Sequence, residues 1–97
     1  MSNHKVSLDG CYTIQASGVL SKEVSNEMVI VDMRRGIYHG LNAVGVYIWE
    51  ALKNKPTLGQ IANELTEVYP DIEREMIEAD MLRLVQELLD NDLVVPC

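Results

Sequence analysis

The sequence predicts an α+β fold, built as a single domain over residues 1–97, with a three-stranded antiparallel sheet at the N-terminal end followed by three helices. Three observations lead there. Apolar residues recur in short extended runs as far as Asn42, they recur with a period near 3.6 beyond it, and Pro56 and Pro70 divide that helical half into three pieces. With 97 residues, the chain can bury one core but is short for an enzyme that must also wall in a deep pocket.

The first ten residues are polar and aperiodic, which reads as a loosely ordered lead-in. Cys11 to Ala16, CYTIQA, alternates weakly and gives a first strand that Ser17-Gly18 ends. Val19–Val24 is either its continuation or a short irregular link before a turn at Ser25-Asn26. The stretch Met28–Asn42 is more informative. Met28 to Met33 is a strand of Val, Ile and Met; Arg34-Arg35-Gly36 breaks it, Gly36 being free to take a positive φ. Ile37 to Leu41 then resumes the extended pattern, and Gly40 leaves a gap where another backbone could approach. The outer border of this hairpin is an open sheet edge for a guest peptide.

Asn42 is placed to cap a first helix whose stripe is Val44, Ile48, Trp49 and Leu52, with Trp49 as a core anchor. Gly45 within it costs roughly 1 kcal/mol of helix propensity against Ala, so it marks close packing against the sheet. Thr57 with Gln60 is a capping box for a second helix that buries Leu58, Ile61, Ala62, Leu65 and Tyr69. A third helix runs from about Ile72 to Asp90. Its central stripe is Ile77, Met81, Leu84 and Leu88, and a second row of Leu82, Val85 and Leu89 widens it beyond what one neighbour covers. That helix is therefore either packed on two sides or lines a groove that a partner fills. Leu93-Val94-Val95 ends the chain as a short extended tail.

Eight Lys plus Arg against fifteen Asp plus Glu give a net charge of −7, which repels a phosphate backbone. The third helix carries Glu73, Glu75, Glu78, Asp80, Glu87 and Asp90 against Arg74 and Arg83 and makes a poor recognition helix, so nucleic acid is not an expected partner. No apolar run approaches the roughly 20 residues that cross a bilayer, and the N-terminus has no secretory h-region, so no membrane role is expected and the location is cytoplasmic. In such a reducing compartment Cys11 and Cys97 read as free thiols. His4 and His39 are isolated, so neither a metal nor another cofactor is expected. No nucleophile–base motif and no glycine-rich phosphate loop is present, which argues against catalysis.

The strand ending in Asp32, the turn with Gly36, Tyr38, Leu41-Asn42, Gly45, Ile48-Trp49 and Leu52 resembles PqqD-like proteins. Thr57, Ile61, Leu65 and Tyr69, then Asp80-Met81, Leu84-Val85, Leu88 and Leu93-Val94, continue the likeness over about Ser17 to Val95. Asp92 departs from it, standing where such proteins usually have Gly; Asp tolerates the left-handed conformation next best. The resemblance implies a winged helix-turn-helix-like recognition element for ribosomally made precursor peptides. Such domains bind the leader segment of the precursor and present it to modifying enzymes. The turn and Leu41-Asn42 look closest to stand-alone B1 proteins of lasso-peptide clusters; the alternative is a PqqD-type chaperone for a radical-SAM enzyme.

By that likeness the leader adds as an antiparallel strand along Ile37, Tyr38, His39, Gly40 and Leu41, and the last helix contributes Asp80, Met81, Leu84 and Glu87. Leu82 and Val85 replace them if the helix is rotated the other way. Each has a plainer reading: Tyr38 and Leu84 as core, His39 as a solvated strand residue, Arg34-Arg35 as turn solubility or a contact for a leader carboxylate or an enzyme. Asp80 borders an apolar stripe and needs a partner. The implied partners are the leader peptide and a leader peptidase, cyclase or other modifying enzyme. A different class is a structural subunit, in which the unprotected edge pairs with its own copy as a homodimer.

Overall fold

A computed structural model describes residues 5–25 and 27–97. Its elements are β1 (Tyr12–Ile14), β2 (Val19–Val24), β3 (Glu27–Asp32), β4 (Ile37–Leu41), α1 (Ala43–Leu52), α2 (Leu58–Val68), α3 (Arg74–Asp90) and β5 (Val94–Pro96). The α+β, winged-helix-like arrangement agrees with the sequence reading, three helices following a three-stranded antiparallel sheet of order β2-β3-β4.

Which strands form that sheet differs from the expectation. Val19–Val24 is a full strand, and CYTIQA lies outside the sheet. Gly18 turns the chain at φ +76°, and β1 pairs with β5 instead, Thr13 opposite Val95. The sequence gives no sign of this because the partner is the far end of the chain. The expectation of free thiols is corrected for the same reason. One step beyond the β1–β5 register, the Cys97 N–H donates to the Cys11 carbonyl at 2.9 Å, and the two residues form a disulfide with Cα atoms 5.3 Å apart.

Residues 1–4 and Asn26 lie outside the described residues. Of the lead-in, residues 5–10 have irregular backbone with defined partners. The Leu8 carbonyl accepts from Gly59 at 2.8 Å, the Gly10 carbonyl from Leu58 at 3.0 Å, and the Val6 N–H donates to Gln86 Oε1. Among the described residues no helix is long and apolar enough to cross a membrane.

Alternation along the sheet decides which side meets the helices. Met28, Ile30 and Asp32 of β3 and Leu41 of β4 are buried, whereas Leu20, Val29 and Tyr38 face outward. The helices lie on the inner side. Trp49, Ile48 and Leu52 of α1, Leu58, Ile61 and Leu65 of α2, and Met81 and Val85 of α3 fill the core between them. Both predicted caps form: the Asn42 side chain accepts from Gly45 N–H, and Thr57 with Gln60 makes a reciprocal capping box.

Candidate functional site

The β4 strand has one neighbour, β3, so its other border is open. Backbone parity tells which groups point there. The Met33 N–H donates to the Gly18 carbonyl at 2.8 Å, on the β2 side. Amides alternate along a strand, so Val31 and Val29 also face β2, while Met28, Ile30 and Asp32 face β4. Their register partners Leu41, His39 and Ile37 are therefore bonded to β3. The N–H and C=O groups of Tyr38 and Gly40 point outward, and among the described residues no hydrogen bond occupies them. A Cβ added at Gly40 would meet nothing within 4 Å.

Beside this edge a groove of about 320 Å³ runs between β4, α1 and α3. Leu41, Ile48, Leu65 and Ile77 give it an apolar floor, Val44 and Gly45 close the α1 side, and Tyr69 and Ile72 close the end before α3. Gly45 is what lets α1 approach, since a Cβ there would lie 3.2 Å from Leu41 Cβ. The α3 rim consists of Asp80, Arg83, Leu84 and Glu87, positions i, i+3, i+4 and i+7 on one helix face. Arg83 donates to Asp80 at 3.1 Å, an ion pair between two exposed side chains. A second concavity of about 460 Å³ lies between α1 and α2, but carboxylates of Glu23, Glu50 and Glu64 ring it and no β4 residue lines it.

At the turn end of β4, Asp32 is fully buried. It accepts from the Arg34 N–H, Nε and Nη2 and from Arg35 Nη1, at 3.0–3.2 Å. Those hydrogen bonds, led by the Arg34 side chain, hold the Asp32 carboxyl at about 2, below the ordinary 3.8, against the opposing effect of burial. Both arginines are thus tied within the chain rather than free at the turn. Among the described residues no group of His, Cys, Asp and Glu could hold a metal ion.

The family model described as Coenzyme PQQ synthesis protein D (PqqD) matches residues 27–94, from β3 into β5. The chain belongs to the PqqD family. Two solved structures resemble this PqqD-family fold closely. TbiB1 in complex with the TbiA(beta) leader peptide superposes with a TM-score of 0.75 at 27% identity, over 84% of this chain and 93% of that one. A lasso peptide synthetase B1 complexed with the leader peptide gives 0.77 at 27% identity, over 88% and 98%. No curated protein sequence matches the chain.

Of the residues that the PqqD-like resemblance pointed to, Gly40, Leu41, Asp80, Leu84 and Glu87 meet in the groove. Ile37, Tyr38 and His39 continue the same strand toward the turn and do not line it; Tyr38 is 71% exposed. Met81 is corrected: it is fully buried and holds α3 in the core without surface to offer. The α3 stripe that packs inward is Ile77, Met81, Val85 and Leu88, one residue off the expected row, and this turns Leu84 toward the groove. The alternative Val85 is likewise core, and Leu82 is half-buried away from the groove lining. Sequence reasoning missed Val44, Tyr69, Ile72 and Arg83 as site residues, along with the floor residues Ile48, Leu65 and Ile77 and with Asn42 and Gly45 at the start of α1. The first three carried only a core signal, since a groove floor and a core have the same composition; Arg83 was legible as the i+3 partner of Asp80.

Proposed function

We propose that this PqqD-family chain binds the leader segment of a ribosomally synthesised precursor peptide and presents it to modifying enzymes, in lasso-peptide biosynthesis. The observation that carries this reading is the open β4 edge lying directly beside an apolar groove. Main-chain groups of Tyr38 and Gly40 pair with the leader in β-augmentation, which gives affinity with little dependence on sequence. Alternate leader side chains then drop toward Leu41, Ile48 and Ile77, where an apolar residue fits, and pass Glu87, which favours a hydrogen-bond donor or a cation. The two structural neighbours, both complexed with leader peptides, support it. The enzyme that receives the leader is a peptidase or cyclase in this reading. A PqqD-type partnership with a radical enzyme uses the same edge and differs only in that recipient.

The test is a calorimetric titration with a synthetic peptide spanning the leader of any short precursor found in this chain's gene neighbourhood, with light scattering on the same samples. Saturable binding of one peptide per chain at micromolar or tighter affinity is expected, and a scrambled peptide should bind far more weakly because its side chains miss the groove. A peptide-insensitive dimer would assign the edge to self-pairing instead and overturn the proposal.

A further inference from the structure

We propose that Arg34, with Arg35, is a clamp that sets the spacing between β4 and α3, the two walls of the groove, so that Arg34 is a positioning residue for leader binding; its functional half rests on the reading above. The walls lean mainly on other elements. The β4 strand packs on β3 and α1, while α3 packs on α2, α1 and β5. What joins them at the turn end is a pair of guanidinium groups.

Arg34 Nε and Nη2 hold Asp32 at 3.0 and 3.2 Å. The same fork reaches across to the end of α3, Nη1 to Asp92 Oδ2 and Nη2 to the Asp92 carbonyl, both at 2.9 Å. Arg35 Nη1 adds the Asn91 carbonyl at 2.6 Å. These carbonyls lie just past the C-terminus of α3, near the negative end of its dipole, and α3 has no basic residue in its own last turn. The hairpin supplies the missing cation. Asp92 takes φ +60° as it closes α3, its N–H donating to the Leu89 carbonyl and the Leu93 N–H to that of Leu88, and Gly18 leaves room for the stem, since a Cβ there would lie 2.6 Å from Arg34 Cγ. The Asn91 side chain donates to the Glu87 carbonyl one turn back, linking the clamp to the groove rim. A lysine could keep the charge beside Asp32 but could not bridge both sites in one plane.

Two variants test this, Arg34→Lys and Asp92→Gly. The second keeps a residue at ease with positive φ at the helix end while deleting the carboxylate. Spin labels at Tyr38→Cys and Arg83→Cys, placed in the oxidised chain whose own cysteines are bonded, report the wall-to-wall distance without any peptide. The distance distribution should broaden in both variants, and affinity for the synthetic neighbouring-gene leader should fall roughly five- to tenfold, the scale of one lost charge-assisted contact. The melting temperature of Asp92→Gly should hold or rise. Distributions as narrow as the parent's, or affinity that falls only in step with melting temperature, would overturn the clamp. If the parent itself binds no leader, the leader-binding reading fails and the distance measurement still decides the clamp.

Discussion

Proline substitution along β4 should separate the guest edge from the structural edge. At Gly40 the N–H points outward and bonds nothing among the described residues, and the preceding His39 is already extended, as a pre-proline residue must be. Gly40→Pro should therefore leave the fold intact, since an edge strand tolerates proline on its free side. The leader loses one donor, and the carbonyl it would have met is left buried and unpaired. That costs about 1–3 kcal/mol, or roughly 5- to 150-fold in Kd. His39→Pro is the control. Its N–H faces β3, opposite Ile30, so a similar loss falls on the sheet and lowers the melting temperature by about 4–8 °C per kcal/mol. Fluorescence anisotropy with labelled leader and thermal melts by circular dichroism read both quantities. Undiminished affinity in a folded Gly40→Pro variant, or a collapse of its fold, would refute the edge assignment.

Other outcomes follow from the same geometry. Met81→Ala should cost about 2–5 kcal/mol of stability because the side chain is fully buried, while Leu84→Ala, on the groove rim, should cost about 1 kcal/mol and weaken leader binding; urea titration and anisotropy distinguish them. Reducing the Cys11–Cys97 disulfide, which spans 86 residues of sequence, should remove roughly 4–5 kcal/mol in the chain-entropy model, visible in melts with and without reductant. The depressed Asp32 pKa implies stability that is fully present above 3.8 and is lost as pH falls through about 2. The urea midpoint should therefore decline in that window in the parent, and the decline should shrink in Arg34→Lys.

Local signals were legible wherever the chemistry that causes an element lies within a few residues of it. The Asn42 and Thr57-Gln60 caps, the Gly36 turn at φ +69° and the close approach at Gly45 all form as read. Pairings between distant parts were not legible. Neither the β1–β5 ladder nor the disulfide beside it has a signature, because alternation in CYTIQA names no partner. The rotation of α3 fell between these cases. With Leu84 and Val85 both apolar, the helical period admits either as the core row, and in the folded chain it is Val85 that is buried. The Asp32 clamp escaped because a basic pair in a turn has the same sequence whether it faces water or a buried carboxylate.

Residue-resolved amide hydrogen exchange along β4, with and without leader, tests the central claim most directly. In the free chain Ile37, His39 and Leu41 should exchange slowly while Tyr38 and Gly40 exchange fast, and saturating leader should slow Tyr38 and Gly40 toward their neighbours. Fast exchange at both positions with leader fully bound would contradict strand addition on β4.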